Sequence, residues 1–118
     1  MAINPDVAAH VEDLLAPLGP VAVRRMFGGG GVFLDGLMLG LIVDDTLYFK
    51  TDDGNRAAYD AAGMAPFRFT RAGKLVETSL LEVPPDLLDD ADALLPWAQA
   101  ALDAARRSAA KKPAKKRK

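Results

Sequence analysis

The stretch RRMFGGGGVF, residues 24–33, sets Arg24 and Arg25 just ahead of an unbroken run of glycines lying between two apolar stretches. Two cations beside a flexible backbone raise the possibility of phosphate binding. A phosphate cradle needs glycines spaced so that several backbone N–H groups converge on one anion, and a helix behind them whose positive end faces it. Gly28 is followed five positions later by Phe33, and no Lys-Ser or Lys-Thr comes after the glycines, so the Walker spacing fails. The dinucleotide pattern begins with Gly28 and Gly30, but its third glycine falls on Phe33. The residues beyond the glycines, VFLDGLMLGLIV, read as strand, turn, strand. The glycines are therefore read as a turn or bulge that uses their tolerance of positive φ.

Acid–base and nucleophilic chemistry need groups held together with shifted acidities, commonly including a histidine. The only histidine, His10, lies at the edge of an apolar stripe, where a partly buried structural role is the ordinary outcome. There is no cysteine, which removes disulfides, thiolate metal sites and a cysteine nucleophile, and fits a cytoplasmic chain. The acid pairs Asp44-Asp45, Asp52-Asp53 and Asp89-Asp90 lack the alternating ligands and closing glutamate of a calcium loop. Each sits instead where carboxylates accept orphan backbone N–H bonds at turns and helix starts. The sequence thus offers no catalytic constellation, metal site or cofactor motif, and is read as non-enzymatic.

Charge carries the stronger signal. Residues 1–105 hold all 16 acids and 7 bases, a balance of −9, whereas residues 106–118 hold 8 bases and no acid. That last segment, RRSAAKKPAKKRK, has no apolar residue larger than alanine, so it is expected to be disordered past Arg107. The domain is accordingly placed at residues 1–107 and the tail at 108–118. Lys111, Lys112, Lys115, Lys116, Arg117 and Lys118 form a polycation suited to DNA phosphates, without sequence preference. The competing readings are a solubilising tail, or one docked on the molecule's own acidic body. Arg24, Arg25, Lys50 and Arg56 are a second candidate, a basic spot near the glycines, set against simple pairing with the surplus acids.

The elements that must position these residues can be read from caps, period and turns. Asn4, Pro5 and Asp6 start a helix whose apolar stripe is Val7, Val11, Leu14, Leu15 and Leu18, and Pro17 to Pro20 stop it. Next come VAVRRMF, the glycines, VFL, Asp35-Gly36 and LMLGLIV, with Asp-Gly between apolar runs as a hairpin signal. Asp44-Asp45 and TLYFK extend this to a meander of three or four antiparallel strands. DDGNRAAYDAAG reads as a short helix ended by Gly63, FRFTR and LVETSLLEV as a hairpin around Ala72-Gly73, and Pro84-Pro85 as the end of the sheet. A last helix lies within LDDADALLPWAQAALDAARR, its first turn expected close to Pro96. No run approaches the ~18 apolar residues of a membrane span. The fold class is α+β, in the order α, three or four β, α, two β, α.

The run VRRMFGGGGVFLDGLMLGLIVDDTLYFKTDDGNRAAYDAAG resembles the N-terminal domain of the TfoX/Sxy family of bacterial competence regulators. Arg25-Met26-Phe27-Gly28-Gly29, Leu47-Tyr48-Phe49-Lys50 and Asn55-Arg56 carry the likeness, which extends over residues ~5–107. It implies a secretion-chaperone-like α-β(3)-α-β(2)-α fold, a regulatory role in competence or transcription, and no catalytic residue. Full-length regulators of this family carry a second helical domain, where this sequence continues into the lysine-rich tail. Two functions are expected to compete: a regulatory domain associated with DNA or a DNA-bound complex, and a chaperone-like protein-interaction module, dimeric through an exposed sheet edge.

Overall fold

The computed structural model describes residues 5–26 and 29–111. The first helix, α1, spans Pro5–Leu15 and buries Val11, Leu14 and Leu15, with Val7 and Leu18 packed at the margin of the same core. A 3-10 turn over Ala16–Leu18 ends it. Four strands come next, β1 (Ala22–Met26), β2 (Gly29–Leu34), β3 (Leu37–Val43) and β4 (Thr46–Lys50), so the meander has four members. Both central residues of the β2–β3 turn, Asp35 and Gly36, have φ of 54 and 79°, as the tight hairpin requires. Asp44-Asp45 and Ala72-Gly73 adopt the same left-handed pair.

The short helix α2 (Arg56–Ala61) stops where the sequence places its end. Gly63 has φ of 74°, its N–H donates to the Asp60 carbonyl, and Met64 N–H donates to the Tyr59 carbonyl. These two bonds satisfy carbonyls the helix would leave orphaned. Strands β5 (Pro66–Arg71) and β6 (Lys74–Glu82) form the second hairpin, and a 3-10 turn over Pro85–Asp89 leads to α3 (Ala91–Lys111). Asp90 caps α3 by accepting a bond from Ala93 N–H at 3.2 Å. The helix starts a full turn before Pro96, earlier than the sequence suggests. It tolerates the proline because Asp92 and Pro96 both lie on its exposed side, where water reaches the freed carbonyl. It also continues past Arg107 to Lys111, since Ala109 and Ala110 are strong helix formers.

All six strands form one antiparallel sheet in the order β1-β2-β3-β4-β6-β5. Helix α3 lies on β3 and β4, and α1 packs against α3 and β1. Between sheet and helices sit Leu15, Leu39, Phe49, Leu81, Leu94, Ala98 and Ala101, all fully shielded from solvent. Glu12 of α1 accepts a bond from the Val23 N–H of β1 at 2.9 Å, covering part of that strand's open edge.

The glycine run is not simply a turn. Gly29, Gly30 and Gly31 lie buried inside β2, and Gly28 lies outside the described residues. At Gly29 the reason is close approach: a Cβ there would collide with the backbone carbonyl oxygen of Ile42.

Candidate functional site

The register fixes which side of the sheet each basic residue occupies. Arg25, Gly30, Ile42 and Leu47 are successive partners across β1 to β4, and Ile42 and Leu47 belong to the core beneath the helices. Arg24, Gly31, Leu41, Tyr48 and Glu82 make the neighbouring row across β1, β2, β3, β4 and β6, so they face the opposite side. Arg24 and Arg25 thus diverge, as strand alternation dictates. Gly31 adds no side chain beside Arg24, whose guanidinium lies 5.6 Å from the centre of the Phe33 ring. Lys50 donates to the Ser79 hydroxyl at 3.0 Å, and Arg56 lies 3.8 Å from Asp60 one turn along α2. Each of Arg24, Lys50 and Arg56 engages its own partner, and Arg25 makes no ion pair among the described residues.

Of the tail cations, Lys112, Lys115, Lys116, Arg117 and Lys118 lie outside the described residues, and Lys111 closes α3. The root of that segment is well defined. Arg107 donates from Nε and Nη2 to the two carboxylate oxygens of Asp52, at 2.6 and 2.8 Å. The bond to Asp52 raises the Arg107 guanidinium further above its ordinary value. Asp52 also accepts from Gly54 N–H, while buried Asn55 accepts from Asp52 N–H and donates to the Lys50 carbonyl. The TDDGN loop is thereby fastened to the last turns of α3. Here the first member of an acid pair, Asp52, fastens the loop, in keeping with its position between strand and helix. His10 is more exposed than its stripe suggests, and its Nε2–H donates to the Leu88 carbonyl, 2.8 Å away. Among the described residues no cluster of His, Asp or Glu could hold a metal ion.

Two hollows stand out. One lies between α2 and α3, holds about 280 Å³, and is lined by Gly54, Asn55, Tyr59, Pro96, Trp97 and Ala100 among others. The Tyr59 ring meets Trp97 edge to face at 4.8 Å, and its hydroxyl has no hydrogen-bond partner among the described residues. The other, about 300 Å³, opens on the sheet face that carries no helix and is lined by Met38, Leu41, Phe67, Phe69, Thr78 and Leu80. Leu41 and Leu80 are buried there without joining the helix-side core. Tyr48, Phe67 and Phe69 form a ladder, with ring centres 5.2 and 6.1 Å apart. Burial, then the charges of Glu82 and Asp44, raise the Tyr48 hydroxyl above its ordinary value. The signal for this face was present in PFRFTR, whose alternation puts both phenylalanines on one side.

Charge separates by layer. The strands hold Arg24, Arg25, Lys50, Arg68, Arg71 and Lys74 against only Glu77 and Glu82, and every other acid of the chain lies in a helix, a turn or a loop. No helix among the described residues is long and apolar enough to cross a membrane. A family model for the TfoX N-terminal domain matches residues 13–105, from within α1 to the later turns of α3. No curated protein matches the chain.

Proposed function

The chain belongs to the TfoX N-terminal domain family, and from that premise we propose a regulatory domain that associates with DNA, or with a DNA-bound complex, through its basic C-terminal segment. The family points to a regulatory, competence-related role. What makes DNA the chosen target is the charge division: 8 bases and no acid in residues 106–118, behind a body of net charge −9. Arg107 is already taken by Asp52, and Arg106 lies 3.8 Å from Asp103. The cations left for phosphate are Lys111, Lys112, Lys115, Lys116, Arg117 and Lys118. They act by releasing counterions from the duplex, so attraction is indifferent to base sequence and steeply dependent on salt. The acidic body keeps the rest of the molecule off the phosphates and free to meet a protein.

The test is duplex binding across a salt series by the natural chain and by a full-length variant with those six residues changed to glutamine. Six phosphate contacts predict a slope of log affinity on log salt of about −5 for the natural chain. The variant is expected to lose the slope and most of the affinity. Equal binding by the two chains, or none by either at low ionic strength, overturns the proposal.

A further inference from the structure

An antiparallel sheet commonly buries one face and leaves the other polar. Here the face without helices holds a hollow of about 300 Å³ walled by Met38, Leu41, Phe67, Phe69 and Leu80, with Thr78 the one polar residue in its lining. Phe69 remains 39% exposed. Around this hollow the charge is mainly positive. Lys50 sits opposite Leu80 on β6. Arg71 and Lys74 oppose each other two residues beyond the Phe69–Val76 pair, hence on the same side. Arg24 holds the far end of the row that runs through Leu41 to Tyr48 and Glu82.

We propose that this face docks an acidic amphipathic segment of a partner protein, which seats a large apolar side chain in the hollow and sets its carboxylates against Lys50, Arg71 and Lys74. The hollow is at the small end of the ~300–1,000 Å³ range of binding pockets, a size for an anchoring side chain rather than a cofactor. Charge and floor together decide among the occupants. Single-stranded nucleic acid suits the cations but not the floor. Phe67 and Phe69 are taken up partly with each other, their rings 6.1 Å apart at 24°, and Met38, Leu41 and Leu80 line the rest of the hollow, which suits an aliphatic anchor better than a stacked base. An apolar anchor flanked by carboxylates satisfies both floor and rim. The inference stands apart from the DNA reading, since it uses none of the tail cations.

The experiment titrates short synthetic peptides into the natural chain and into the full-length variant whose six tail cations are glutamine. One peptide carries leucine and phenylalanine anchors flanked by glutamates, a second the same anchors flanked by lysines, a third the glutamates with alanine anchors. The first is expected to bind both chains and to shift the NMR signals of Met38, Phe67 and Phe69. The second and third should bind more weakly by about tenfold or more. Phe69→Ala should weaken the first peptide comparably, as should the paired Arg71→Glu and Lys74→Glu, which alter only exposed charges and leave folding intact. Leu75→Ala, at a 69% exposed position on the opposite side of the same hairpin, should change nothing. Four results would overturn the assignment: no saturable binding to the tail variant, indifference to anchors or flanks, a dimer that buries this face in sedimentation and NMR, or an oligothymidylate that binds these same residues more tightly than the first peptide.

Discussion

Replacing Tyr59 by phenylalanine should make the protein more stable, although it deletes a polar group from the one buried side chain of α2. Tyr59 is 1% exposed, and its ring stands edge-on to Trp97 at 86°. Burial raises its hydroxyl well above the ordinary value, so the group is a neutral O–H at any physiological pH. An unpartnered buried hydroxyl costs about 1–3 kcal/mol, while phenylalanine keeps the ring, the area and the edge-to-face contact. Taking the low end, because removal of the oxygen leaves a small void, Tyr59→Phe should gain about 1 kcal/mol. For a domain of this size that raises Tm by about 4 °C. Tyr59→Ala, which deletes the ring, should instead lose about 3–5 kcal/mol. Urea unfolding followed by the fluorescence of Trp97, the single tryptophan, measures both. A loss of about 1 kcal/mol or more in Tyr59→Phe would refute the reasoning, because it would mean the hydroxyl holds a bond worth more than its desolvation. The same burial fixes a pH dependence. A tyrosine whose folded pKa exceeds its unfolded value of 10.0 contributes stability that is complete below pH 10 and disappears as pH climbs through the folded value. In a spectrophotometric titration Tyr59 should ionise only as the chain unfolds.

Gly29→Ala should destabilise the domain by about 2 kcal/mol or more, because the clash is with the Ile42 backbone, whereas Gly36→Ala, at a φ of 79° with open space around it, should cost about 1 kcal/mol in the same thermal melts. Asp52→Asn should lower the urea midpoint and speed proteolytic cleavage between residues 51 and 55, since the amide cannot accept both Arg107 donors. Pro96→Ala should restore a bond to the exposed Asp92 carbonyl and raise stability by about 1–3 kcal/mol, read by calorimetry.

Much of the fold is legible because its punctuation is local. Asp35-Gly36, Asp44-Asp45, Ala72-Gly73 and Gly63 each announce their own backbone geometry, and each occurs where the sequence puts it. The glycine run misled because a strand glycine and a turn glycine look alike in sequence. Only the position of Ile42, on the next strand, tells why Gly29 has no side chain. Pro96 misled for a related reason, since its cost depends on whether the carbonyl it frees faces water. At the candidate site, divergence of Arg24 and Arg25 follows from strand alternation alone. The partnership of Asp52 with Arg107 does not, because 55 residues separate them and only the packing of α3 on the sheet brings them together. The hollow beside Phe67 and Phe69 was half visible. Alternation puts the two rings on one side, but their meeting with Met38 and Leu41 requires the strand order, in which β6 intervenes between β4 and β5.

The outermost strand has consequences for how the molecule opens. Arg25 and Arg24 face Gly30 and Gly31, so this half of β1 lacks the directly opposed side-chain pairs worth about 0.2–1 kcal/mol each, and beyond its backbone bonds has the diagonal contact of Arg24 with the Phe33 ring. Its other edge has no strand beside it among the described residues. Farther along, Val23 meets Val32 and is also tied to Glu12 of the first helix. Fraying should therefore start at the arginines and halt at that valine, giving amide protons that exchange ahead of the global reaction on one side of the tie and with it on the other. The glycines, by setting no side chain opposite their neighbours, mark the seam along which this small domain first comes undone.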